Sequence, residues 1–195
     1  MLKIGLTGSI GSGKTTVAQV FEKLDVPIFY ADTEAKKCMH SDTALIEQIK
    51  ATFGNDIYVD RNLQKDRLAS IIFNDDSALH TINQLVHPAV QRIFEKWCEI
   101  QNTSYILKEA AILFESGSNK KLDQIICVSA PDNLRMQRVI QRDGVTESQV
   151  LERMSKQWDQ SRKIELAHFH IVNDENQLLI SQVLKVHSIL LKKSV

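Results

Sequence analysis

Gly8-Ser9-Ile10-Gly11-Ser12-Gly13-Lys14-Thr15 follows the pattern G-x-x-x-x-G-K-[ST], and each residue type in it suits contact with a polyphosphate. Glycines let the backbone curl and bring its N–H groups close to phosphate oxygens. A helix starting behind the loop points unpaired N–H groups and partial positive charge at the same anion. Lys14 can reach the β- and γ-phosphates, the Thr15 hydroxyl can ligate Mg²⁺, and Thr16 can donate toward the α-phosphate. The pattern sits between an apolar, strand-like run (residues 2–7) and an amphipathic stretch (residues 14–24). That context separates a nucleotide loop from an ordinary glycine-rich turn. Binding of ATP or GTP follows, but the phosphate acceptor does not.

Guanine selection by an N-K-x-D motif is approached by Asn119-Lys120-Lys121-Leu122-Asp123, whose aspartate comes one residue late, and no D-x-x-G occurs. A small-molecule kinase needs a base beside the acceptor hydroxyl and cations over the migrating phosphoryl group. Asp32 follows the second strand-like run, where a carboxylate could take a hydroxyl proton or cap a helix; spacing does not choose between them. Arg135, Arg138 and Arg142 share one helix face, which suits either a lid closing on phosphates or a solvated surface. Glu109, in the third strand pattern, could hold Mg²⁺ through water or be a strand-end charge. His168 and His170 alternate along the last strand, without a third metal ligand nearby, and are read as one strand face. Trp97 and Trp158 read as packing residues rather than a stacking platform.

The elements that must position these groups alternate along the chain. Apolar runs at residues 2–7, 28–30, 105–113, 123–129 and 169–172 read as strands, the third interrupted by Lys108 and Glu109. Helical spacing marks residues 14–24, most of 32–101, 131–142, 146–157 and 177–191, with Asp66 and Ser77 as expected N-caps and Pro88 opening a helix. Leu178, Leu179, Val183, Val186 and Leu190 form a core stripe that could alternatively serve an oligomer contact. Strands alternating with helices imply an α/β fold, a mainly parallel central sheet covered on both faces, with ligands bound at the strands' C-terminal ends. The 195 residues suffice for a single domain. Lys+Arg and Asp+Glu are equal at 24 each, a balance that gives no reason to expect sequence-independent nucleic-acid binding. Three scattered cysteines (Cys38, Cys98, Cys127) with no CxxC favour reduced thiols and a cytoplasmic setting. No apolar run reaches the roughly 18 residues of a membrane span.

Several segments, taken in order, resemble the dephospho-coenzyme A kinase family. Ile4-Gly5-Leu6-Thr7 and the loop after it are close to that family's opening, and Tyr30-Ala31-Asp32 stands at its D-A-D. His87-Pro88 stands at its H-P, and Ile112-Leu113-Phe114-Glu115 resembles the end of its P-L-L-F-E. The segment from Gln137 to Arg142 resembles its Q-R-x-x-x-R, Arg153-Met154 with Gln157 its R-M-x-x-Q, and the stretch from Ala167 to Asn173 its A-D-x-x-I-x-N. The resemblance implies a three-layer P-loop kinase fold with a helical CoA-side region (residues 32–101) and an arginine-bearing lid (residues 131–160). It implies transfer of phosphate from ATP, with Mg²⁺, to the ribose 3′-hydroxyl of dephospho-CoA, by a monomer or weak homo-oligomer. Asp32 would be the general base, and Lys14 and Arg138, assisted by Arg142, would stabilise the transferring group. His87, Phe114 and Glu115 would line the acceptor side, and Asn173 would join Gly8, Gly11, Ser12, Gly13, Lys14, Thr15 and Thr16 at ATP. Tyr30, Ala111 and His168 depart from the family pattern, the first leaving Asp32 as the one carboxylate of its motif.

Overall fold

The computed structural model describes residues 1–193, without the side chains of residues 73 and 74. In chain order the first elements are β1 (Leu2–Thr7), α1 (Lys14–Glu22), β2 (Ile28–Tyr30), α2 (Ala31–Ser41) and α3 (Thr43–Phe53). Next come β3 (Tyr58–Val59), β4 (Asn62–Leu63), α4 (Lys65–Asn74), α5 (Asp76–Glu99) and β5 (Tyr105–Glu109). Then follow β6 (Gln124–Ser129), α6 (Asp132–Asp143), α7 (Glu147–Ser155), α8 (Gln160–Glu165), β7 (Phe169–Val172) and α9 (Leu179–Lys193). Two compact units result: Met1–Tyr30 with Gln101–Val195, and Ala31–Ile100.

The first unit is built on a five-stranded parallel sheet in the order β2-β5-β1-β6-β7. Strands covered on both faces lose the polar–apolar alternation of a half-exposed sheet. Accordingly β5 is buried at every position and β6 at all but its first. Ile4, Leu6, Leu107, Ile126 and Val128 pack with Val17 and Phe21 of α1 and with Val183, Val186 and Leu190 of α9. Helical spacing alone puts those α1 and α9 residues on one face.

Several local expectations are corrected here. The third strand ends at Glu109 rather than running to Leu113, and Lys108 and Glu109 lie buried within it. The last ladder bond, Ala110 N–H to the Leu6 carbonyl at 3.1 Å, marks where β1 itself gives way to the glycine loop. Asp75, not Ser77, caps α5, its carboxylate accepting from Ser77 N and Ala78 N, and Asp66 lies inside the first turn of α4. Pro88 falls within α5 instead of opening a helix. It offers no N–H to the Gln84 carbonyl, and both residues are exposed, so water can replace that bond. Leu178 is 78% exposed, just before α9, while Leu179 packs on the core.

In the second unit α2, α3 and α4 each pack on α5. Leu45 and Ile49 of α3 and Ile82, Val86, Val90 and Phe94 of α5 are buried there. The β3–β4 hairpin turns at Asp60 and Arg61, both at positive φ (48° and 65°). A turn of that kind usually carries glycine or asparagine, and their absence hid the hairpin in the sequence.

Candidate active site

Each strand of the sheet delivers a candidate residue at or just beyond its C-terminal end. The glycine loop follows β1, Asp32 comes two residues after β2, and Glu109 ends β5, with Phe114 and Glu115 close behind it. β6 leads to the arginine helix α6, and β7 to Asn173. In an open parallel sheet this edge is where ligands bind, and β1 lies at its centre between β5 and β6.

The loop is shaped by close approach. Gly11 and Gly13 have φ of 78° and 88°. A Cβ on Gly8 would strike the Val128 carbonyl, one on Gly11 the Arg135 backbone, and one on Gly13 the Asn173 amide. The Lys14 ammonium folds over the loop and donates to the Gly8 carbonyl at 2.9 Å. Ser9 and Ser12 hydroxyls are buried with no hydrogen-bond partner among the described residues. A buried hydroxyl is ordinarily paired, so the loop holds donors suited to an incoming oxyanion. Thr15 and Thr16 are exposed at the start of α1.

Arg138 and Asn173 meet at the loop's rim. Both guanidinium Nη atoms of Arg138 donate to the Asn173 carbonyl at 3.2 Å, and Nη2 also pairs with Glu175 at 3.0 Å. The Asn173 amide donates to the Ser12 carbonyl at 3.0 Å, so β7 braces the loop. The three arginines of α6 separate in role. Arg135 is buried, donating to Gln160 and paired with Asp132. Arg142 is exposed and bound by Asp143, which also receives Arg153 at 2.8 Å. That Arg142 contact, reinforced by Arg153, holds the Asp143 carboxyl below its usual range.

Phe114 and Glu115 sit in a network that the sequence did not reveal. Lys163 is wholly buried and donates to Glu115 Oε1 at 2.7 Å and to the Ala111 carbonyl at 2.9 Å. The same Glu115 oxygen accepts from Trp158 N at 2.9 Å, while Oε2 is buried without a partner among the described residues. The Phe114 and Trp158 rings are parallel within 2°, with centroids 6.3 Å apart, and the Arg162 guanidinium lies 3.5 Å from the Trp158 ring centre. The neighbouring Gln157 accepts from the Ile10 N–H of the loop at 2.8 Å. A lysine in a short polar helix reads as surface, so Lys163 carried no local signal; Gln157 was visible only as a motif residue.

Asp32 and His87 belong to the second unit, on the helices α2 and α5, which pack together. Asp32 lies in the first turn of α2, exposed, and its carboxylate makes no hydrogen bond or ion pair among the described residues. Thr15 and Glu109 supply the hard oxygen donors that Mg²⁺ prefers. No cluster of three or more His, Cys, Asp or Glu that could hold a metal exists among the described residues. His168 and His170 are engaged separately, with Ile125 N at 3.1 Å and with Ser129 Oγ at 2.6 Å. Burial pushes the Cys127 thiol up to about 11, against the pull of Lys163 and Lys14, so it is no nucleophile near neutrality. Asp123, the late aspartate of the near-miss guanine motif, accepts the Lys3 N–H and anchors the edge of β1.

The chain is similar to known proteins in sequence and in fold. The family model described as CoaE, dephospho-CoA kinase, matches residues 2–178. Dephospho-CoA kinase of Chlorobaculum tepidum is 39% identical over 199 residues, covering 97% of this chain and 95% of that one. Its counterpart in Bacteroides fragilis is 34% identical over 193 residues, covering 98% and 94%. The crystal structure of TT1252 from Thermus thermophilus superposes with a TM-score of 0.84 at 27% identity, covering 98% of this chain and 97% of that one.

Proposed function

This chain belongs to the dephospho-CoA kinase family, and from that premise we propose how its own residues perform ATP-dependent phosphorylation of the ribose 3′-hydroxyl of dephospho-CoA. The observation that carries the reading is the glycine cradle with its orphaned serine hydroxyls, rimmed by Arg138 and Asn173, in a chain of this family.

The loop N–H groups, with Ser9, Ser12 and Thr16, hold the phosphates of ATP, and Asn173 sits on the nucleoside side. Lys14 exchanges the neutral Gly8 carbonyl for charged phosphate oxygens, a stronger partner. Asp32 accepts the 3′-hydroxyl proton as the new O–P bond forms. The bond from the γ-phosphorus to the bridging oxygen breaks, and ADP leaves with its electron pair. Arg138, now on the Asn173 carbonyl and Glu175, turns to the charge on the migrating group. Arg142 can join it by leaving Asp143, whose carboxylate keeps Arg153. His87, Phe114 and Glu115 line the acceptor, Glu115 offering its unpartnered Oε2 to a donor. Thr15 and, through water, Glu109 would hold Mg²⁺, which neutralises phosphate charge during transfer. Three buried free thiols suit a reducing cytoplasm, and the chain acts as a monomer or weak homo-oligomer.

The test is ADP release from ATP and Mg²⁺ with and without dephospho-CoA. Strong stimulation with CoA as product is expected. ATP binding without stimulation would reject dephospho-CoA as acceptor while leaving the nucleotide loop in place.

A further inference from the structure

The glycine loop is gripped on both sides of Gly11 by side chains from distant segments. On one side the Ile10 N–H donates to Gln157 Oε1 at 2.8 Å, across 147 residues of sequence. On the other, the Asn173 amide donates to the Ser12 carbonyl at 3.0 Å. Gly11, between them, stands so close to the Arg135 backbone that a Cβ would strike it. Within the loop, the Ser12 N–H closes a turn on the Ser9 carbonyl at 3.1 Å.

Gln157 is itself held from both neighbouring peptides. It follows the last turn of α7, and its own N–H donates to the Met154 carbonyl at 3.1 Å. The next residue, Trp158, donates its N–H to Glu115 Oε1, the oxygen that the buried Lys163 ammonium holds at 2.7 Å. The Trp158 ring lies parallel to Phe114 and has the Arg162 guanidinium 3.5 Å from its centre. A long polar side chain loses rotamer freedom when it is held in one geometry. Here the backbone on either side is already fixed, so little is left to order when the Gln157 amide meets the loop. A glycine-rich loop, in turn, gives up more backbone freedom on ordering than other segments do. A contact that holds it in shape spares that loss when a ligand binds.

We propose that Gln157 is a positioning residue for the phosphate loop: its side-chain carbonyl holds Ile10 so that the loop meets the phosphates of ATP already shaped. The proposal rests on the glycine loop being the ATP site, and it adds a residue that acts on the nucleotide only through Ile10. The chain of contacts from Lys163 through Glu115 and Trp158 ends at this bond, so a buried ion pair on the acceptor side supports the loop on the donor side.

The experiment compares the full wild-type chain with Gln157→Met, which keeps the length but lacks the accepting oxygen, and with Gln157→Glu, which keeps an accepting oxygen. Calorimetry should show the Kd for ATP rising about fivefold to tenfold in Gln157→Met, the loss expected for one hydrogen bond. Deuterium exchange of the Ile10 amide, read by NMR, should quicken in Gln157→Met and stay slow in the wild type and in Gln157→Glu. If Gln157 only packs the segment between α7 and α8, Gln157→Met lowers the melting temperature and leaves ATP affinity and Ile10 exchange as they were. Unchanged ATP affinity, or equal Ile10 exchange in all three proteins, overturns the proposal. If Gln157→Met does not fold, Gln157→Asn, whose amide falls one methylene short of the loop, takes its place with the same expected losses. If the wild type binds no ATP, the nucleotide reading fails instead, and Ile10 exchange decides the grip by itself: quickening in the variant supports it, and equal exchange overturns it.

Discussion

Asp32 illustrates what a single residue's surroundings add to its type. In the sequence it was equally a base or a helix cap; in the fold it lies inside the first turn of α2 with an unengaged carboxylate. Asp32→Asn should therefore keep ATP affinity and lose about 10²–10⁴-fold in phosphoryl transfer, read by ATP titration alongside turnover. Near-normal turnover would remove Asp32 from the base role. Gly13 is held by two separate constraints, a positive φ and the Asn173 amide where its side chain would stand. Gly13→Ala should abolish measurable ATP binding, whereas Gly144→Ala, with positive φ but open space, should cost only stability, about 1 kcal/mol. The loop glycines were legible from the sequence because a tight turn and close backbone approach restrict residue type locally, whereas Asp32 stood there as either base or cap. Lys163 was not legible, because its role is set by a carboxylate 48 residues away in the chain.

At the level of elements, the segment joining α7 to α8 ties two parts of the site together. Gln157 accepts from the loop at Ile10, and Trp158 donates to Glu115, which Lys163 fixes from α8. Removing one member of such a buried pair strands the other charge. Lys163→Met should cost about 3–5 kcal/mol in urea denaturation, and adding Glu115→Gln should recover much of it. If the double variant is as unstable as the single, the cost comes from lost packing rather than from the stranded carboxylate. The helix face of Arg135, Arg138 and Arg142 was correctly spaced, yet its members have different fates: buried brace, loop-rim contact and surface pair. Helical periodicity assigns a face; what the face meets comes from β7 and α8, which arrive later in the chain.

Across the first unit, stability is coupled to pH through histidines that folding partly desolvates in the neutral form. His187 on α9 faces Tyr105 of β5, with Nδ1 and the phenol oxygen 2.5 Å apart. Burial lowers its pKa, as it does for His170, and raises that of the Tyr105 phenol. The unfolded chain binds a proton near pH 6.5 and the folded one only below that, so stability falls as pH drops through about 6.5. The melting temperature should decline between pH 7.5 and pH 5, and His187→Gln should flatten part of that decline. An unchanged slope would show that His187 titrates alike in both states.

By itself the sequence determined the nucleotide loop, the alternating elements and the parallel sheet, since local backbone constraints and hydrophobic period are written in consecutive residues. It also carried the ordered motifs that place the chain in its family. Only the tertiary structure decided where the third strand stops, that Asn173 braces Ser12, and that Lys163 underlies Glu115. It likewise decided that Gln157 reaches Ile10 of the loop. Those facts depend on side chains far apart in sequence, and no local period or motif encodes a partner supplied by another strand or helix.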